Sequence, residues 1–259
     1  MISLLKDIIR RKDLLKYLVI TQLKLSYANK VLGYFWSLLD PLMMMVVYII
    51  LITFIFKRKD PQFPVLIFSS LLAWQWFTFS LTGAVNSISG KSRIILSIRF
   101  PLAILPISVV FSHLLRYFFG ILALIPMLFI FNATPTATIL WFPLLVIVQC
   151  MLTLGLCLIA SILGVYFKDM NNIIQFVIRI WFYGSPILYS AKEVLSIKSQ
   201  TILYMLNPFA AIFTSYKAIF VWGESPSGYI WWVFVISALV LFIGLAIFSK
   251  YNNRMAKDL

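Results

Sequence analysis

The chain is 259 residues long, 62% hydrophobic and only 12% charged, where a soluble domain carries about 25% charged residues. That composition excludes a soluble globular protein and reads as an integral membrane protein. Twenty-two Lys/Arg against eight Asp/Glu give a net charge of +14. The basic residues gather at the ends of apolar runs, so they read as orientation signals and contacts to anionic lipid rather than a nucleic-acid surface.

The first 33 residues hold seven Lys/Arg and no long apolar run, which is not the pattern of a cleavable signal peptide. Ile2, Leu5, Ile8 and Ile9 share one helical face, and Lys6, Asp7, Arg10 and Arg11 share the other. The apolar face rotates at "RRKD", where Asp13 is expected to cap a second helix carrying Lys16, Lys24 and Tyr27. A basic amphipathic element of this kind lies in the headgroup plane.

A bilayer core about 30 Å thick needs roughly 20 apolar residues in a helix. Runs at about 34–56, 62–85, 105–131, 139–166 and 229–249 meet or approach that length, and a shorter one covers about 173–190. The expected fold is therefore an all-α polytopic membrane protein with six transmembrane helices, in one domain spanning 1–259. Asp40-Pro41, near the start of the first run, reads as a helix cap before a first-turn proline in preference to a proton relay.

The segment 86–104 contains "SISGKSRIIL", whose Gly-Lys-Ser resembles the end of a phosphate-binding loop. Such a loop needs a glycine five residues earlier, and that position is Val85. The chain is not expected to bind ATP there. Ile88, Ile95 and Ile98 can instead line one face of a short helix ended by Pro101, able to dock on a soluble partner or to gate.

Within the third run His113 and Arg116 are three residues apart and share a face. An arginine at that depth costs about 2.5–3.5 kcal/mol on insertion scales. It therefore demands either a hydrogen-bonding neighbour or an anionic ligand such as a phosphate. Cys150 and Cys157, seven residues apart on one helix, are about 10 Å apart along its axis and read as small buried hydrophobes. Arg179 is placed to snorkel.

The short fifth run ends at Gly184 and Pro186, and the apolar piece that follows is broken at Asn207-Pro208. Charge decides whether that piece crosses. With six crossings, fourteen Lys/Arg lie on the side of both termini and six on the other (Lys57, Arg58, Lys59, Lys192, Lys198 and Lys217), with Arg116 and Arg179 inside spans. Basic residues favour the cytoplasm, so both termini are expected inside, although Lys57–Lys59 oppose the rule. A seventh crossing would put Lys250, Arg254 and Lys257 outside. The segment 191–226 is therefore expected to be re-entrant on the outer side, where irregular backbone must pack on protein or line a watery cavity. Phe182, Tyr183, Tyr189, Tyr204 and Phe209 surround it and offer flat faces for sugar rings, although packing alone would also use them.

No nucleophile set, metal cluster or group of carboxylates suggests an enzyme. An ion-coupled secondary transporter would call for internal repeats and intramembrane carboxylates, which are not apparent. "LKLSYANKVLGYFWSLLDPL" (Lys24, Tyr27, Leu32-Gly33, Trp36, Pro41), then "YFKDM" (166–170), "SPILY" (185–189) and "LNPFA" (206–210) occur in order along nearly the whole chain. This pattern resembles the permease subunits of type-2 ABC exporters for polysaccharides, the O-antigen and teichoic acid family.

The resemblance implies a homodimer joined to two copies of a separate ATPase subunit that binds ATP and Mg, with no cofactor in this chain. The cargo it implies is a polysaccharide on undecaprenyl diphosphate, O-antigen in preference to teichoic acid, with a drug or small-lipid exporter as the rival within the superfamily. It implies a bacterial cytoplasmic membrane location. Residues 1–33, with Arg10, Arg11, Lys16, Lys24 and Tyr27, would be interfacial. Residues 86–104, with Ser89, Lys91, Ser92, Arg93 and Arg99, would couple to the ATPase. Segments 184–190 and 200–222 would be outer-side re-entrant helices.

Overall fold

The computed structural model describes residues 2–27, 33–50, 60–91, 100–133, 136–189 and 206–258. These residues form nine α-helices: α1 (Ile2–Arg10), α2 (Lys12–Tyr27), α3 (Trp36–Ile50), α4 (Phe63–Val85), α5 (Ile104–Ile130), α6 (Phe142–Tyr166), α7 (Met170–Tyr183), α8 (Pro208–Lys217) and α9 (Ile230–Asp258). No strand occurs among the described residues. The chain is an all-helical polytopic membrane protein. Without water in the bilayer core, a helix is the one open structure that satisfies its own backbone.

Four helical units are long and apolar enough to cross: Phe63–Val85, Ile104–Ile130, Ala137–Tyr166 and Ile230–Asn252. The expected runs at 62–85, 105–131 and 139–166 thus reappear within a few residues. The first expected run is described as α3, and its remainder at 51–56 lies outside the described residues. The fifth becomes α7, 14 residues, or about 21 Å of helix, which is less than the hydrocarbon core. Its early end follows from Gly184 and Pro186, since proline removes a donor and disfavours helix in the residue before it.

The last helix runs past its apolar stretch to Asp258, because Phe248 and Met255 remain buried on one face. Two expected caps are corrected. Asp13 is the second residue of α2 rather than its cap, where its charge suits the helix N-terminus. Asp40 and Pro41 lie inside α3, which starts at Trp36 after a 3-10 turn at Gly33–Phe35. Membrane helices tolerate a proline so placed because neighbouring helices, side-chain hydroxyls or local 3-10 adjustment re-satisfy the freed backbone group.

At the centre stands α4, buried along nearly its whole length. Its neighbours are held by sparse polar links: Trp76 Nε1 donates to the Val110 carbonyl of α5 (3.3 Å), and Gln149 Nε2 of α6 donates to the Ala73 carbonyl (2.7 Å). The bundle has two distinct ends. At one, Gln62 Nε2 donates to the Asn132 carbonyl (3.1 Å), beside the end of α5. There Asn132 takes φ 54°, and Ala133 N–H and Asn132 N–H bond back to the Leu128 and Phe129 carbonyls, a Schellman stop with asparagine in the left-handed place. At the other end Ile88, Leu102, Leu105, Ile162, Phe248 and Met255 form a second apolar cluster, with Ile8, Leu15 and Leu18 of α1 and α2 packed on it.

Helices α6 and α9 meet through glycines. A Cβ added at Gly155 would lie 2.6 Å from the Val240 carbonyl carbon, and one at Gly244 would lie 2.6 Å from the Gly155 carbonyl oxygen. Association in lipid rests on close packing rather than on water release, so small residues set how near two backbones come. Gly155→Val or Gly244→Val should therefore force α6 and α9 apart and cost about 1–3 kcal/mol or more. A lowered melting temperature in detergent, by fluorescence-monitored size exclusion, would register this. A melt equal to the wild type would show that the contact contributes little.

Candidate functional site

The unusual feature of the bundle is a helix that stops inside it. At the C-terminus of α7, Phe182 packs on Trp74 (5.8 Å between ring centroids) and Trp181 on Phe77 (5.5 Å). At the N-terminus of α8, Phe209 packs on the same two residues, at 5.7 and 4.4 Å. Trp74 and Phe77 lie about 16–21 Å along α4, near its middle. One helix ends and another begins at mid-height.

From there α8 climbs to the Gln62 end of the bundle. Tyr216 and Phe220 lie against Phe142 at 6.3 and 5.6 Å, and Thr138 donates to the Ile219 carbonyl (3.4 Å). The climb finishes in a π-helical turn, Ala218–Trp222, capped by Gly223 at φ 65°. A side chain at Gly223 would be strained in that left-handed conformation and would also press on Thr136.

Two ends of backbone at mid-height leave polar groups that lipid cannot satisfy. Asn207 answers part of this. Its Oδ1 accepts from Trp181 Nε1 (3.0 Å) and from the Phe209 N–H (3.1 Å), capping α8. Its Nδ2 donates to the Gly184 carbonyl and to Ser185 Oγ, both at 2.9 Å. The amide thus uses two acceptor and two donor places, which is its full inventory. Pro208 follows at the first helical position, where its missing N–H is no loss.

Lys217 answers the rest. Only 3% exposed, it donates from Nζ to the carbonyls of Pro186 (2.6 Å), Ile187 (3.2 Å) and Tyr189 (2.9 Å). Three carbonyls match the three donors of an ammonium. A buried charge is tolerable only when hydrogen-bonded in this way. Asn207 and Lys217, at opposite ends of α8, therefore clasp the Gly184–Tyr189 turn.

The expected site residues fall in different surroundings. Gly184, Pro186, Asn207 and Pro208 all join at this break. Phe209 is fully buried and Phe182 half-buried in the aromatic cluster, whereas Tyr183 is 73% exposed and Tyr189 half-buried. Beside the break, Val177, Ile180, Trp181, Gly184 and Leu206–Pro208 line an apolar cavity of about 430 Å³. Tyr204 lies outside the described residues, as do Ser92, Arg93 and Arg99; Ser89 is exposed in a 3-10 turn that ends at Lys91.

His113 is half-buried, with its ring 5.8 Å from that of Phe79. Arg116 donates to Ser26 Oγ of α2, and Gln22 of α2 donates to Ser108 Oγ of α5 (3.1 Å). The N-terminal pair of helices breaks at Arg11, as "RRKD" suggests, and exposes Arg10, Arg11, Lys16 and Lys24. Tyr27 is the last residue of α2. The sequence places Lys217 among the six basic residues of the outer side and gives Trp181 no role. A lysine within the apolar run "FAAIFTSYKAIFVW" was the signal available for it.

No protein-family model matches the chain. The O-antigen export system permease protein RfbA of Myxococcus xanthus is 29% identical over 260 residues, covering the whole of both chains. Two proteins of the same name from Klebsiella pneumoniae are each 30% identical over 248 residues, 95% of this chain and 95% of theirs.

Each clasp residue has a distinct expected cost. Asn207→Ala strands Trp181 Nε1, the Phe209 N–H and the Gly184 carbonyl, and at about 1–3 kcal/mol for a buried orphan group it should lower thermal stability more than any surface alanine. Lys217→Met removes charge and donors together, leaving three carbonyls without the ammonium. Melting of both variants in detergent checks this, and wild-type melting by Asn207→Ala would remove the clasp from the account of the fold.

Proposed function

Because the chain belongs to the family of O-antigen export system permeases, we propose that it is the membrane subunit of an ATP-driven exporter that moves lipid-linked O-antigen polysaccharide across the bacterial cytoplasmic membrane. The observation that carries this reading is similarity along 95–100% of both chains to permeases of that name. It supports a transport subunit rather than an enzyme; in this reading ATP and Mg are bound by a separate ATPase subunit.

In this reading the chain crosses six times, with α3 and α7 contributing the first and fifth crossings. The Ile88 end faces the cytoplasm with both termini, and α8 is an outer-side half-helix within the re-entrant region 191–226. Residues 1–33 lie at the inner interface, and 86–104 meet the ATPase through Ser89, Lys91, Ser92, Arg93 and Arg99. A second copy seats on the open apolar faces of α3 and α7, where Met43, Val46, Val47, Ile173, Phe176 and Ile180 are exposed. Tyr183, Tyr189 and Tyr204 then offer rings to the sugar chain along the path, while Phe182 and Phe209 keep the break rigid behind them. His113 and Arg116 lie beside the path at the inner half, where the carrier diphosphate enters.

The division of labour is tested with purified proteins and with cells. The chain alone should hydrolyse no ATP, and the complex with its ATPase partner should. Cells lacking the chain should lose surface O-antigen while lipid-linked polysaccharide accumulates inside, and the wild-type gene should restore export. Robust hydrolysis by the chain alone, or unchanged surface O-antigen on deletion, would overturn the reading. Tyr183→Ala should reduce export severalfold without altering the melting temperature; full export by this variant would take the ring off the path.

A further inference from the structure

Helix α2 crosses α5 and leaves a cavity between them that the export reading does not use. It measures about 420 Å³ and is lined by Lys12, Leu15, Lys16, Val19 and Ile20 from α2 and by Phe111, Leu114 and Leu115 from α5. That volume is in the range of sites for small ligands. The floor is apolar: Val19 is buried, Phe111 and Leu114 are half-buried, and Ile20 and Leu115 open outward.

The rim is cationic. Lys12 and Lys16 are four residues apart, so their side chains rise on one face with Cβ atoms about 5–6 Å apart, and both are exposed. Neither ammonium bonds to another described side chain, and Asp13, the one acid in α2, bridges to neither. A few residues further along α2, the polar pairs Gln22–Ser108 and Arg116–Ser26 pin the helix to α5. The cavity is thus a feature between two fastened helices rather than a gap in a loose contact.

We propose that this cavity binds one anionic phospholipid, with its phosphate held between Lys12 and Lys16 and an acyl chain lying on Val19, Leu114 and Leu115. The chemistry on the page selects that occupant. An apolar floor continuous with outward-facing Ile20 and Leu115 suits a hydrocarbon chain, and two unengaged ammoniums one helical turn apart suit a single phosphate. Lysines bring their charges to such a rim by laying their stems along apolar surface. A zwitterionic lipid supplies the same chain but brings a cation against the two lysines, so charge provides the selectivity. The site is separate from the break at Asn207 and stands whether the cargo is O-antigen or another molecule.

Native mass spectrometry of the full chain, released from nanodiscs of equal phosphatidylglycerol and phosphatidylcholine, reads this directly. The wild type should retain phosphatidylglycerol in preference. Lys12→Gln/Lys16→Gln should lower that preference about tenfold, with melting unchanged. Leu115→Trp, which keeps both charges and fills the floor, should lower retention of both lipids. Millimolar inorganic phosphate should leave retention unaltered, because the acyl chain is part of the ligand. Undiminished preference in the double glutamine variant, unaltered retention in Leu115→Trp, or displacement by inorganic phosphate would each overturn the proposal.

Discussion

Lipid offers no hydrogen bonds, and that constraint governs every irregular feature of this molecule. Wherever the chain remains helical through the bilayer, the requirement is met residue by residue. Where it departs from helix, the protein must supply the partners itself. The break at Gly184–Pro186 is the main departure, and its solution is concentrated in two side chains. Asn207 joins the end of one helix to the start of another through four hydrogen bonds, and Lys217 closes the intervening turn by three more. The aromatic cluster of Trp74, Phe77, Trp181, Phe182 and Phe209 packs the inner side of this seam, while Gly184, Asn207 and Pro208 border the apolar cavity on the other.

Such a seam is stiff for a physical reason. An uncharged neutral pair broken in the bilayer loses about a kcal/mol or more, but an ammonium stripped of carbonyls there loses several. The Lys217 cage therefore resists any separation of α8 from the 186–189 turn, and the two should move as one body. The exposed neighbours of the seam, Tyr183 and Leu206, are bound by no such arrangement. Any give at this break belongs on their side of α7, not in the aromatic layer behind it.

Much of the fold was legible because hydropathy and helix length are coupled directly to bilayer thickness. The runs at 62–85, 105–131 and 139–166 match α4, α5 and the 137–166 unit closely for that reason. The same logic failed where packing overrides composition. The polar stretch after 249 remains helical because Phe248 and Met255 bury one face, and Asp40-Pro41 sits inside a helix rather than at its start. At the site, Gly184, Pro186, Asn207 and Pro208 could be named from turn chemistry, which is local. What Asn207 and Lys217 bond to could not, since those partners lie up to 31 residues away and depend on the depth at which α8 begins. Lys217 is the instructive miss: counted as one of six charges on the outer side, it is buried under the carbonyls of Pro186, Ile187 and Tyr189.

At the opposite end of the bundle from this seam, the basic helices α1 and α2 carry Arg10, Arg11, Lys12 and Lys16 exposed along them. These same residues lie next to the apolar cluster of Ile88, Leu102, Phe248 and Met255, on which Ile8, Leu15 and Leu18 pack. The exposed basic residues of α1 and α2 and the last turns of α9 thus converge at one end of the bundle. A displacement imposed there by a soluble partner would pass into α5 through Gln22–Ser108 and Arg116–Ser26 before it reached the seam at mid-height.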